Sequence, residues 1–507
     1  MKHPALPRPG ALVAVVSLTA AVIAPAATTP TALPRATPES QGISSPGILR
    51  LIDEAEARAY GLHGLMILRH GNVVAEGWWA PYAPDEPHML FSLSKSFTAT
   101  AIGLLQAEGR LNIHDKVASF FPGDVPADAP QNVKNMRLRD LLMMSTGQHK
   151  EDVDRLNHRL TANPKATRDF FAAPVPQKPG TLFYYNSPAT FMLSATLTKV
   201  TGETVRDYLI PRLFGPLGIP TPNWDATAQG FSHGASGLHL RTEDIAKFGQ
   251  LLLQRGEWNG RRLVPAEWVD LATSRQVSNG SDPTSDWDQG YGFQFWRCVP
   301  GFYRADGAHG QFVIVIPQHD TVIAINSGAR DMGGVMKMLW AKLLPELRAA
   351  AIPEDPAALA ALRARLGSLS LPVVAGAATS SVASRVSGRT FALAPNDSAI
   401  DSVGLDFAAD GTATLRARLS GRDETVPVGN GRWVRGKFPL NPGSTQPVAA
   451  SGAWTADDTY TVHLAEYRTP FIATWQLKFA GNRVTLQRDI NVGPNAGKPV
   501  SFEGTAN

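Results

Sequence analysis

The chain has 507 residues, of which 43% are hydrophobic and 18% charged, with a formal net charge of +4. This composition excludes a wholly disordered chain, and at about 150 residues per domain the length predicts two to three domains. Loss of Lys2 and Arg8 with a leader would lower the surplus to +2, so neither a nucleic-acid nor an anionic-membrane partner is expected. The single cysteine, Cys298, excludes an internal disulfide and a cysteine-built zinc cluster, and packing is its expected role.

Lys2 and Arg8 precede an apolar run from Ala11 to Ile23, and Ala24-Pro25-Ala26 follows as a small-x-small cleavage site. Residues 1–26 therefore read as a secretory signal peptide. The run is shorter than the about 20 residues that span a hydrocarbon core. A periplasmic or secreted protein with no membrane span after cleavage is expected.

Residues 34–350 mix helical and strand patterns, as one large α/β domain would. Amphipathic helices are predicted over Pro46–Tyr60, with Ser45 as N-cap, over Ser94–Glu108, and over Thr242–Arg255, with Thr242 as N-cap. Strand-like runs are Leu65–Leu68, Gly292–Trp296, Gln311–Ile316 and Thr321–Asn326. This order suits a sheet built from both ends of the domain, with a helical insertion between them. Residues 351–387 read as a short Ala-rich helix and a small-residue linker, VVAGAATSSVAS. From 388 to 507 strand follows strand, with hairpin signals at Asp410-Gly411 and Gly481-Asn482, so a separate all-β domain is expected.

The chemistry concentrates in FSLSKSFTATAIGLLQ, which contains the tetrad Ser92-Leu93-Ser94-Lys95. Three residues along a helix place Lys95 one turn from Ser92 on the same face, where an amine can take the proton of a hydroxyl. A free lysine, with a pKa of about 10.4, is protonated at neutral pH. Bringing it near 7 costs about 4 kcal/mol, which burial can supply. Downstream, Tyr184 and Asn186 stand two apart, so on extended backbone both point to one side. A phenol can relay a proton and a carboxamide can hold a substrate amide. Later, RADGAHGQFVIVI opens a strand from a glycine-rich corner. Each motif alone also reads as ordinary structure: a helix start, an aromatic turn, a turn into a core strand. The scattered histidines form no H-E-x-x-H or close pair, so no metal and no cofactor is expected.

Taken together, S-x-x-K at Ser92–Lys95, Y-x-N at Tyr184–Asn186 and a third segment at Ala308-His309-Gly310-Gln311 resemble the serine β-lactamase and penicillin-binding superfamily. The likeness is to its class C-type branch, with its esterases, D-aminopeptidases and nylon-oligomer hydrolases. MRLRDLLMMSTGQ at 136–148, ASGLHLRTEDIAKFGQLLL at 235–253 and YGFQFW at 291–296 are similar to segments of that branch, and the strand-rich tail resembles one appended to some exported members. The resemblance implies an α/β fold: an antiparallel sheet flanked by helices beside an all-helical region, with the site between them. It implies Ser92 as acylated nucleophile, Lys95 as its base, Tyr184 as proton shuttle, and the N–H groups of Ser92 and Gln311 as oxyanion hole. Asn186, His309 and Gly310 would bind substrate.

The third segment departs from the Lys-Thr-Gly or His-Thr-Gly of true β-lactamases, since no cation leads Ala308-His309-Gly310. That lysine helps bind the antibiotic's carboxylate, so small esters, or amides lacking that carboxylate, are the expected substrates. The alternatives are a β-lactamase or D-Ala-D-Ala carboxypeptidase, and a non-catalytic receptor that keeps the fold.

Overall fold

The computed structural model of the protein describes residues 1, 32–440 and 444–506. The leader's apolar run and cleavage site lie outside the described residues. The first helix, α1 (Ser45–Ala57), starts one residue before the sequence pattern suggests. Ser44, not Ser45, is its N-cap, accepting from Gly47 N at 3.1 Å. Strands β1 (Leu62–Arg69) and β2 (Asn72–Trp78) follow as a hairpin. Then come α2 (Ser94–Ala107), α3 (Ser187–Thr201) and α4 (Thr242–Leu253). Thr242 is the first residue of α4 rather than its cap. Its hydroxyl donates to Asn326 Oδ1, while Asp244 folds back to accept from the Arg241 N–H.

Strands β3 (Trp296–Arg297), β4 (Tyr303–Gly307), β5 (Gln311–Ile316) and β6 (Thr321–Ser327) complete an antiparallel six-stranded sheet in the order β2-β1-β6-β5-β4-β3. Both ends of the domain thus share one sheet. The run Gly292–Trp296, expected as a strand, is mostly a turn. Gln294 takes φ +66° and sends its amide to the carbonyls of Leu141 and Leu142, so the segment closes on itself instead of pairing. Helices α5 (Met332–Lys342) and α6 (Pro356–Gly367) return to the sheet. The sheet separates two cores. One joins Met66, Leu68, Val313 and Val315 to α2, α3 and α4; the other joins Leu65, Ile67, Ile314 and Ile323 to α1, α5 and α6. Alternation along each strand sends successive side chains to opposite faces.

The small-residue linker is not free. Ala80 pairs with Ser370, Ala377 pairs with Trp454, and Ser451 Oγ accepts from Val374 N. Ten strands follow: β7 (Thr390–Leu393), β8 (Ile400–Phe407), β9 (Ala413–Leu419), β10 (Arg422–Val428), β11 (Val434–Phe438), β12 (Gln446–Ala456), β13 (Thr459–Ala465), β14 (Ile472–Ala480), β15 (Arg483–Ile490) and β16 (Val500–Ala506). Their order, β10-β9-β8-β7-β16-β15-β14-β13-β12-β11, curls into a near-barrel, with Gly429 after β10 bridging Ser451 of β12. Leu415, Val462, Trp475 and Leu486 fill it. The hairpin turns fall at Asp410-Gly411 and Gly481-Asn482, as their turn chemistry predicts.

The barrel is docked on the first domain by residues 466–471. Arg468 O accepts from Met89 N at 2.8 Å, and Thr469 O from the Tyr82 hydroxyl at 3.0 Å. Glu86, with a side chain only 12% exposed, pairs with both Arg435 and Arg468 of the barrel. No helix among the described residues is long and apolar enough to cross a membrane.

Candidate active site

Ser92 sits in a single 3₁₀ turn, Phe91–Leu93, that leads directly into α2. The residue before it, Phe91, takes φ +48°. A non-glycine side chain held there is strained, as happens where a site over-determines the backbone. Lys95, in the first turn of α2, is 2% exposed. Its Nζ donates to Ser92 Oγ at 3.1 Å, to Ser187 Oγ at 3.1 Å and to the Ala235 carbonyl at 2.7 Å. All three acceptors are neutral. Burial therefore pulls the Lys95 amine down to about 7, and the Asp306 carboxylate opposes that shift.

The phenol that joins this pair belongs to Tyr185. Its ring lies 5.1 Å from Lys95 Nζ, and its hydroxyl lies beside Ser92. Burial pushes this phenol well above its usual range. Tyr184 is not part of the cluster; its phenol lies beside Lys150 and Asp154. Asn186 is also turned away. It is the N-cap of α3, accepting from Ala189 N at 2.9 Å, while its Nδ2 donates to Thr146 Oγ1 and Gln148 Oε1, both at 3.0 Å. Tyr184 and Asn186 do share one side of an extended stretch, as expected, but that side faces residues 144–154. The intervening Tyr185 faces Ser92, because a shift of one residue reverses the side-chain direction.

A signal for Asn186 was present in the sequence. Asn followed two residues later by Pro, at the head of an apolar helical run, is a cap signature, and a capping carboxamide is already committed. Ser187, the next residue, reaches Lys95 instead.

The third segment is likewise displaced. The strand end beside the Ser92 turn is Asp306-Gly307. A Cβ on Gly307 would lie 2.0 Å from Leu90 O and 3.1 Å from Leu93 N, so only glycine admits this approach. Residues 308–310 are the turn of the β4–β5 hairpin, not regular strand. Gly307 O accepts from Gly310 N at 3.2 Å. In a trans peptide the next N–H points the opposite way. The Ala308 N–H thus faces the free edge of β4, which β3 covers only as far as Arg304. Gly310 O accepts from Ser327 Oγ of β6, so by the same reasoning the Gln311 N–H points into the hairpin, opposite Gly307. Gly310 faces Ser327, to which a Cβ would come within 2.3 Å. His309 stays near the cleft, its ring centroid 5.4 Å from that of Phe91.

The surroundings supply fixed charge. Asp306 is buried and accepts from Arg304 Nε at 2.8 Å. Burial raises the Asp306 carboxyl above its usual value, and Arg304 works against that. Arg304 lies over Trp287, and Cys298 Sγ, buried as expected, accepts from its Nη1 at 3.4 Å. His233, in the loop that presents Ala235, is held down to about 4, first by burial and then by the charge of Lys95, so it remains neutral. Neither Asp306 nor Ser187 stands out by pattern in the sequence. Each becomes visible only when distant segments meet. Among the described residues no group of three or more His, Cys, Asp or Glu is placed to hold a metal ion.

The arrangement can ionise a hydroxyl at neutral pH and move its proton, with backbone N–H groups facing the same space. The family model described as Beta-lactamase matches residues 50–341. A 6-aminohexanoate-dimer hydrolase of Paenarthrobacter ureafaciens is 28% identical over 280 residues, covering 51% of this chain and 70% of the relative. Penicillin-binding protein 4 of Amycolatopsis lactamdurans is 28% identical over 321 residues, covering 56% and 82%. Among solved structures, a putative 6-aminohexanoate-dimer hydrolase from Bacillus anthracis superposes with a TM-score of 0.52 at 19% identity, over 64% of this chain and 89% of that one.

Proposed function

The chain belongs to the β-lactamase family and is a serine hydrolase of it, and from that premise we propose that it cleaves small esters or amides through an acyl-enzyme on Ser92. The observation that carries this reading is the buried Lys95 amine, 3.1 Å from Ser92 Oγ with no carboxylate bonded to it. Near neutral pH about half of such an amine is uncharged and can act as base. In acylation Lys95 takes the Ser92 proton as Oγ attacks the carbonyl carbon. The oxygen gains negative charge and is met by the N–H groups of Ser92 and Ala308. Tyr185, beside Ser92, passes a proton to the leaving nitrogen or oxygen as its bond to carbon breaks. Water then attacks the acyl-enzyme, giving up a proton to the same pair, and Ser92 regains its hydroxyl.

Substrate class follows from charge. The residues that close the strand beside Ser92, Ala305-Asp306-Gly307, hold no lysine. Asp306, neutralised by Arg304, offers no positive charge to the carboxylate of a β-lactam. Esters, or linear amides such as the one in the name of the Paenarthrobacter relative, suit the site better. The penicillin-binding relative keeps β-lactam or D-Ala-D-Ala turnover as the second reading. Export to the periplasm or medium, from the leader at 1–26, completes the proposal; N-terminal sequencing of protein recovered from cells tests it.

Fluorophosphonate labelling of the full chain tests the assignment. We expect wild type to label and Ser92→Ala to lose both labelling and p-nitrophenyl ester turnover. Labelling that survives in Ser92→Ala overturns it. Fast turnover of a chromogenic cephalosporin or a D-Ala-D-Ala peptide, exceeding that of esters and amides, would favour the second reading. Folded protein with neither labelling nor turnover would indicate a non-catalytic receptor.

A further inference from the structure

Two separate aromatic surfaces flank Ser92. The first contains Tyr185, stacked on Trp296 with centroids 5.5 Å apart, and Tyr291, 4.8 Å from Trp296. The second is assembled from three distant segments. Phe91 precedes the serine, His309 lies in the β4–β5 turn, and Phe471 comes from the barrel. Their centroids are 5.4 Å apart for Phe91 and His309, 6.2 Å for Phe91 and Phe471, and 6.0 Å for His309 and Phe471, all edge-on. All three are partly exposed, so ring surface remains for a ligand.

Phe471 does not hang loosely over this site. The strap that carries it is tied to the first domain by Met89 N to Arg468 O, Tyr82 to Thr469 O, and the Glu86 pair with Arg468. Beyond Phe471 a cavity of about 520 Å³ opens between the domains, with Met89, Asp225, His239, Glu466 and Arg468 on its walls. Its lining adds the polar side chains of Asp225, His239, Glu466 and Arg468 to apolar ones, where the aromatic surface is apolar.

We infer that Phe471 is a specificity-determining residue supplied by the barrel. With Phe91 and His309 it forms the acyl-side subsite of the Ser92 centre, which takes an extended apolar acyl chain whose polar far end enters the inter-domain cavity. This rests on the reading of Ser92 as nucleophile and Tyr185 as donor to the leaving group. A donor must stand beside the atom it protonates. The leaving group therefore lies on the Tyr185 surface. A tetrahedral carbon directs its other substituent elsewhere, and the surface with no ring paired to Tyr185 is the one left for the acyl chain.

The test holds the leaving group constant and varies the acyl chain. The p-nitrophenyl esters of acetic, hexanoic and 6-hydroxyhexanoic acid are assayed with full-length wild type, Phe471→Ala and Phe471→Leu, and fluorophosphonate labelling of each protein is measured alongside. Phe471→Ala should lower kcat/KM for hexanoate about tenfold or more, mainly through KM, and for acetate by about twofold at most. Phe471→Leu, which keeps apolar bulk, should recover most of the loss. In wild type the 6-hydroxy ester should be turned over at least as well as hexanoate. An unchanged hexanoate-to-acetate ratio in both labelled variants overturns the inference while leaving the Ser92 reading intact. Rejection of the 6-hydroxy ester overturns the placement of the far end. Absence of labelling in wild type overturns the inference together with the reading beneath it.

Discussion

Tyr185 and Asn186 are adjacent in the chain and serve opposite sides of it: the phenol of Tyr185 meets Ser92 and Lys95, while the carboxamide of Asn186 is locked against Thr146 and Gln148. The backbone at Asn186 is extended, with φ −137° and ψ 94°, and extended backbone alternates its side chains. On the proposed function, proton transfer and helix capping fall to neighbouring residues.

Tyr185→Phe should lower kcat by about 10²- to 10⁴-fold, the usual worth of a positioned proton donor. Tyr184→Phe, whose hydroxyl faces Lys150, should change kcat by no more than about threefold. Steady-state kinetics on one amide and one ester checks both. A larger loss in Tyr184→Phe than in Tyr185→Phe would reverse the assignment.

Asn186→Ala should act on stability. Loss of an N-cap costs about 1–2 kcal/mol, and Thr146 and Gln148 lose a partner as well. Thermal denaturation should show Tm lowered by several degrees. Well below Tm, KM for amides should stay near the wild-type value, since the carboxamide is fully engaged inside the protein.

The pH dependence follows from Lys95, held at about 7 by burial. As the proposed base, Lys95 acts in its neutral form, which predominates above that pH. kcat/KM should therefore fall tenfold per pH unit well below 7 and level off above it. The raised Tyr185 phenol predicts no alkaline loss until beyond the usual tyrosine range. Lys95→Arg should be inactive throughout, because a guanidinium does not deprotonate in proteins. A flat profile from pH 5 to 8 in wild type would contradict the role of Lys95.

Gly307→Ala tests the approach of β4 to the nucleophile turn. The added Cβ would meet Leu90 O at 2.0 Å, so the strand end or the serine turn must shift. A displacement near 1 Å at reacting groups costs about 10² in rate. We expect kcat to fall by that order, with far-ultraviolet circular dichroism unchanged. Wild-type kcat in a folded variant would show that Ala308 N–H is not needed.

Helix positions to within a few residues, hairpin turns, the all-β character of the C-terminal domain and the Ser92–Lys95 spacing could be read from the chain. Each depends on signals a few residues apart: an apolar period, a cap, a glycine turn, or a three-residue spacing that one helical turn brings together. The Gly292–Trp296 run misled because its apolar pattern suits a strand, yet Gln294 finds better partners in Leu141 and Leu142, from far away in the chain.

Which tyrosine faces the serine, which strand end approaches it and what completes the cleft are a different kind of question. Local pattern pointed to Tyr184, but the packing of residues 144–154 takes that phenol and turns its neighbour Tyr185 to the serine. Asp306, Ala235 and Ser187 gather around Lys95 because sheet, loop and helix converge there. Phe471 reaches His309 because a barrel docks through Glu86. Alternating backbone offers two faces of equal standing, and the one that turns inward is selected by contacts between segments hundreds of residues apart, which no local window of sequence contains.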